Sequence, residues 1–259
     1  MKAQVYKDPR PAEHFTRFHE RVRRGRPDWV YTLVRMVLTP YLLIVHRARA
    51  LEAWHVPEGG PVIVTPNHFS FLDHFFVAVY LRRKVNFMAK SQLFKPPMQF
   101  IYRHGGVFPV RRGFRDEEAF ETAHTVLARG DIVLMYPEGG RSRSGELGEA
   151  KPGLGRLALE SGAPVVPVAI VGTQKARNWK RLSFPKVTVL YGDPVRFEKV
   201  EDPTREQQQE AAELVFERVK ALYDGLREGG RKTAIQRARE AGRAAAHAAD
   251  AATRHTVPE

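Results

Sequence analysis

The sequence predicts an α/β domain: a mostly parallel central sheet flanked by helices. Three observations predict it. Apolar runs of strand length alternate with segments of helical periodicity. Several runs are continuously apolar, as strands covered on both faces are. Polar, turn-forming residues sit where those runs give way to helices.

The strand candidates are residues 62–65, 85–88, 107–110, 132–135, 165–171 and 187–190. Helical candidates fall between and after them, at about 72–83, 93–103, 116–129, 153–161 and 204–227. In the last of these, Leu214, Val215, Val219, Leu222 and Leu226 recur at helical spacing. This alternation defines a central domain at 51–228. In such sheets ligands bind beyond the carboxyl ends of the strands. The residues to inspect are therefore Pro66 to Asp73, after the first run, and Tyr136 to Ser142, after the fourth.

The chain has 259 residues, 43% hydrophobic and 27% charged, an ordinary globular balance that excludes a mainly disordered or collagen-like protein. It has no cysteine, which excludes disulfides, Cys-ligated metals and a cysteine nucleophile. The net charge is +13, unevenly placed. Residues 1–50 hold 11 Lys/Arg against 4 Asp/Glu, a net +7. Residues 51–228 hold 25 against 22, and residues 229–259 hold 6 against 3. A basic N-terminal arm points to a polyanionic surface, either nucleic acid or an anionic membrane. No zinc finger, RNP-type motif or basic zipper accompanies it. The aromatics Phe69, Phe71, Phe75 and Phe76 cluster with aliphatics rather than arginines, so no nucleic-acid partner is expected.

Residues 29–45 read WVYTLVRMVLTPYLLIV, interrupted by Arg35 and Pro40. This is shorter than the roughly 20 apolar residues of a spanning helix. It fits a buried core helix. It equally fits an amphipathic segment lying in a membrane interface, with Trp29, Tyr31 and Tyr41 at headgroup level and Arg23, Arg24, Arg26, Arg47 and Arg49 flanking it. Residues 229–259 hold ten alanines and only two large aliphatics, Ile235 and Val257, and read as a solvated helix or a disordered tail.

The candidate chemistry begins with His68 and Asp73. A carboxylate five residues on, in the first turn of a helix, can reach back to the imidazole, fix its tautomer and stabilise its protonated form. A helix-capping turn, Ser70-x-x-Asp73, is the structural alternative. Arg141 follows two glycines after a strand, where backbone N–H groups and a guanidinium can bind phosphate together. Glu138 precedes them. Lys90, Arg111 and Arg112 follow two further strands. Four cations at one sheet edge suit an anionic ligand. No set of metal ligands is grouped in the sequence, since His68, Asp73 and His74 have no further ligand nearby, and no metal or other cofactor is expected. Gly153-Leu154-Gly155-Arg156-Leu157-Ala158 matches a dinucleotide fingerprint, but no strand precedes it, and Pro152 marks a helix start.

Together these segments resemble the glycerolipid acyltransferases, in particular the 1-acylglycerol-3-phosphate acyltransferases. Asn67-His68-x-Ser70-x-x-Asp73 is similar to the family's first block. Gly106 to Arg111 is similar to the second, Tyr136 to Ser142 to the third, and Val166 to Ile170 to the fourth. Ala89 to Phe94 resembles the segment between the first two blocks. Order and spacing agree over roughly residues 50–200. The departures are Tyr136 for Phe and Gly140 for Thr. The resemblance implies an acyl-CoA or acyl-carrier protein donor and a lysophospholipid acceptor. It implies His68 as base with Asp73 orienting it. It implies Lys90, Arg111 and Arg141 on the acceptor phosphate, with Glu138 at the glycerol end and Gly139 as a further substrate-binding residue. It also implies an N-terminal helix pair dipping into one leaflet, hence a peripheral or monotopic protein on the cytoplasmic face of an anionic membrane. With no Cys and no Gly-x-Ser-x-Gly elbow, direct transfer without an acyl-enzyme is the simpler mechanism.

Overall fold

The computed structural model describes residues 7–114, 116–142, 144–176 and 184–254. In chain order the elements are α1 (Glu13–Arg24), α2 (Trp29–Val45), β1 (Arg49–Leu51), β2 (Val62–Pro66), α3 (Asp73–Ala78), β3 (Val85–Lys90), α4 (Met98–His104), β4 (Val107–Val110) and α5 (Glu117–Ala128). They continue with β5 (Ile132–Leu134), α6 (Pro152–Ser161), β6 (Val165–Val171), α7 (Thr173–Ala176), β7 (Thr188–Tyr191) and α8 (Arg205–Arg254). The seven strands form one sheet in the order β1-β7-β6-β2-β5-β3-β4. All neighbours are parallel except β6 and β7. The mostly parallel sheet flanked by helices is thus as the sequence predicts. β1 was not foreseen, because three residues show no periodicity; it exists through its pairing with β7.

The side-chain alternation of each strand builds two cores. Val62, Val64, Ile132, Leu134, Val166 and Val168 face one side, with Leu42 and Phe76. Ile63, Val133 and Val165 face the other, with residues of α5, α6 and α8. Each such side chain contributes roughly 1.5–3 kcal/mol on burial. On the second side α8 lies against α6 so closely that a Cβ at Gly155 would collide with Gln208 O. The fingerprint-like glycine is therefore a helix-packing residue.

Three elements differ from expectation in extent. α3 ends at Ala78, where Leu81 N–H bonds Ala78 O at 3.2 Å and Leu81 turns into the core. α4 begins only at Met98, because Phe94 lies outside the helical region (φ −79°, ψ 72°) and Pro96 and Pro97 have no N–H to bond an earlier turn. α8 continues to Arg254, bending at Gly230 (φ 70°, ψ 165°).

The N-terminal helices divide their roles. α1 turns Phe15, Phe18 and Val22 inward, where they pack with Phe94, Tyr102 and Phe108. Much of the arm's charge is engaged internally. Arg10 pairs with Asp8 at 2.8 Å and donates to Ser91 O and Phe94 O at 2.7 Å each. Arg21 pairs with Asp28 at 2.9 Å, Arg23 with Glu118 at 3.4 Å and Arg26 with Asp131 at 2.9 Å. Composition revealed the basic excess but not the carboxylates lying opposite it. α2 behaves differently. Trp29, Leu33, Met36, Val37, Tyr41 and Ile44 form an exposed apolar stripe at helical spacing, Met36 64% and Ile44 75% exposed. α1 and α2 meet at 88°, and no single described helix is long and apolar enough to cross a membrane.

Candidate active site

The strand order brings the site together. β5 inserts between β2 and β3, so the loops after β2, β5, β3 and β4 open side by side at one edge. β2 is fixed at its end by Asn67. This buried amide accepts from Ile170 N–H at 2.7 Å and donates to Ile170 O at 3.0 Å, imitating a strand residue. The chain then leaves the sheet at His68.

Asp73, fully buried in the first turn of α3, returns its carboxylate to this turn. Its Oδ2 lies 2.9 Å from His68 Nδ1 and accepts the backbone N–H groups of Phe69 and Ser70 at 2.7 Å each. The turn-closing and imidazole-orienting readings are thus satisfied by one oxygen. Because a carboxylate only accepts, Nδ1 carries the proton and Nε2 keeps its lone pair. Burial pushes the His68 pKa below its ordinary 6.5, opposed by the hydrogen bond to Asp73 and reinforced by Arg141 and Arg112. The imidazole is neutral at pH 7, as a general base must be. Tyr136 stacks flat on it, ring centroids 3.6 Å apart at 16°.

A cleft opens over His68. Lys90, Arg112 and Arg141 bring positive charge to it. Arg111 does not line it: its guanidinium stacks on Phe114 at 4.3 Å and donates to Arg10 O at 3.3 Å. The chain turns directly after β4, with Phe114 N–H bonded to Arg111 O at 3.3 Å, and this turn leaves the adjacent arginines in different surroundings. The pair Arg111-Arg112 signalled a cation but not which of the two would face the cleft. Gly140, where the resembled block has Thr, gives Arg112 room: a Cβ there would lie 3.2 Å from Arg112 Nη1.

Glu138 is occupied by main chain. Oε1 accepts His68 N–H at 2.9 Å and Oε2 accepts Gly148 N–H at 2.8 Å. Burial pushes its pKa up, against those two bonds. Gly139, at φ 62°, makes the turn that bonds back to Tyr136 O at 3.1 Å. Ser142 N–H donates to His68 O at 2.9 Å. The loop after β5 thus grips the His68 turn from both sides.

The cleft continues into a narrow apolar groove beneath α2, walled by Tyr31, Val34, Phe75, Ala78 and Ile101. His74, Phe87, Tyr102 and Val107 line both spaces. His74 lies against Phe75 and Phe87, and burial, then His68, drives its pKa down to about 3. It is a neutral, apolar-packed ring at the junction.

Known proteins resemble this chain. The Acyltransferase family model matches residues 48–171. A chloroplastic 1-acyl-sn-glycerol-3-phosphate acyltransferase of Brassica napus is 31% identical over 118 residues, 44% of this chain and 34% of its own length. The human beta form is 33% identical over 141 residues, 51% of this chain and 49% of its own length. The chain thus spans a third to a half of these two relatives. The crystal structure of the 1-acyl-sn-glycerophosphate (LPA) acyltransferase PlsC from Thermotoga maritima superposes with a TM-score of 0.54 at 24% identity, covering 81% of this chain and 88% of that one. Residues 48–171 thus match the Acyltransferase family model, in a chain that resembles the 1-acyl-sn-glycerol-3-phosphate acyltransferases.

Proposed function

We propose that this protein transfers a fatty acyl group from an acyl-CoA or acyl-carrier protein thioester to the free hydroxyl of 1-acylglycerol-3-phosphate, giving phosphatidic acid. The observation that carries the reading is the His68–Asp73 pair in a cleft that joins a cationic rim to an apolar groove. His68 Nε2 takes the hydroxyl proton as the oxygen attacks the thioester carbonyl. Asp73 stabilises the imidazolium. The C–S bond breaks and the thiolate recovers the proton from His68. Lys90, Arg112 and Arg141 hold the acceptor phosphate by charge-assisted hydrogen bonds. The groove takes an acyl chain. Glu138 and Gly139 act through the turn they hold rather than on the glycerol.

The exposed stripe of α2 supports a monotopic association with one leaflet. We place it at the cytoplasmic face, where such donors are soluble.

Thiol release from a long-chain acyl-CoA with lysophosphatidate as acceptor tests the reading, with wild type beside His68→Ala. Turnover in wild type and at least a 10³-fold loss in the variant are expected on the scale of a lost catalytic base. Equal turnover in both would refute the assignment of His68. A second acceptor, glycerol-3-phosphate, belongs in the same assay, because a glycerol-3-phosphate acyltransferase of Ectopseudomonas mendocina is 28% identical over 152 residues.

A further inference from the structure

A second cationic site lies away from the cleft. At the end of α2, the bend of α8 at Gly230 carries Arg231 and Lys232 toward Arg47, Arg49 and Lys186. These five cations, with Leu43, Ala48 and Ile235, line one open pocket. Among the described residues, none of the five has a carboxylate partner. The pocket is held by main chain instead. Arg231 Nη2 donates to Arg47 O at 2.5 Å, and Arg47 Nη2 donates to Phe184 O at 3.0 Å. Arg231 Nη1 is buried with no partner at all. Burial and the neighbouring Arg49 act against the charge of Arg231. Like charges gathered with an unsatisfied guanidinium N–H are unfavourable until an anion joins them.

The surroundings say which anion. Ile44 and Phe184 beside the pocket are exposed, and Leu43 on its wall is 41% exposed. They continue the apolar stripe of α2. Cations closing one end of an apolar face match a phosphate attached to acyl chains. Arg49 pairs with Thr188, which pairs with Val171 at the carboxyl end of β6, so the pocket and His68 share one edge of the sheet. Three strand spacings, roughly 14 Å, separate β1 from β2, too far for one phosphate to serve both sites.

We propose that Arg47, Arg49, Lys186, Arg231 and Lys232 form a binding site for the phosphate of an anionic phospholipid, distinct from the catalytic cleft, with the acyl chains of that lipid laid along the exposed end of α2. The proposal rests on the membrane-facing reading of α2. It seats the enzyme in a defined orientation and couples its docking to the anionic lipid content of the leaflet.

The test compares binding of the full chain to phosphatidylcholine vesicles and to vesicles with added phosphatidylglycerol. Three variants are compared with wild type: Arg49→Gln/Lys232→Gln, the charge-matched control Lys199→Gln/Arg205→Gln near the start of α8, and Met36→Ser/Val37→Ser. The pocket variant is expected to lose at least tenfold in affinity for the anionic vesicles and nothing for the neutral ones. The control is expected to change less than twofold. Equal losses in pocket variant and control would overturn the site in favour of diffuse attraction. Inorganic phosphate is the soluble arm. Pocket-dependent thermal stabilisation by it, without pocket-dependent vesicle binding, would overturn the phospholipid assignment. Met36→Ser/Val37→Ser is expected to weaken binding to both vesicle types. If it does not, the α2 reading fails by itself, whatever the pocket variant does.

Discussion

Glu138 Oε1 accepts the main-chain N–H of His68 at 2.9 Å, so a carboxylate from the loop after β5 holds the turn that carries this imidazole. Its other oxygen holds Gly148 N–H. With both oxygens on main chain, Glu138 is expected to act by bracing this turn. Glu138→Gln keeps the shape but makes one amide N–H face a backbone N–H. It should cost roughly 1.5–3 kcal/mol, the range of a charge-assisted hydrogen bond. That corresponds to a fall of about 3–12 °C in Tm for a chain of this size. The kcat should fall with it and the acceptor KM should hardly move. A raised KM with unchanged Tm would instead put Glu138 on the substrate.

Asp73 raises the His68 pKa while burial lowers it, and burial dominates. The neutral base therefore persists below pH 6.5 and is lost only as pH falls through the depressed pKa. The acid limb of log kcat/KM should lie below 6.5 with unit slope. Asp73→Asn removes the group that favours the imidazolium, so the limb should move to still lower pH. The plateau should drop by roughly 10²–10⁴-fold as orientation is lost. A limb displaced toward alkali would contradict this coupling.

Arg111 and Arg112 are adjacent but face different surroundings. Arg112→Ala should raise the acceptor KM by about 10–100-fold, the range for one charge-assisted contact. Arg111→Ala should leave KM alone and lower Tm, because it loses its Phe114 stacking and its bond to Arg10 O. Steady-state kinetics and melting curves on both variants would show whether the assignments need exchanging.

Gly140 leaves space that Arg112 uses. Gly140→Thr restores the residue of the resembled block and pushes a Cβ to within 3.2 Å of Arg112 Nη1. The acceptor KM should rise several-fold. In the Arg112→Ala background the same change should do nothing further, since the two act through one contact. Additive effects in this cycle would mean that Gly140 acts elsewhere in the loop.

The sequence determined the layer architecture because its signals are local. Continuous apolar runs of strand length such as Val165 to Val171 fit strands covered on both faces, and Pro152 before an apolar helical run marks a helix start. It also placed His68 and Asp73 within reach of each other, since five residues across one turn leave little freedom. What depends on distant partners was decided only by the tertiary structure. β1 exists because β7 lies beside it. Arg112 rather than Arg111 faces the cleft because of how the chain leaves β4. Arg26 is spent on Asp131, more than a hundred residues away. Glu138 reads as a ligand in the motif, and only the fold shows that backbone N–H groups of two other segments bond to its oxygens. α2 was legible as apolar, but which of its faces stays uncovered is fixed by α3 and α4 packing on the other one.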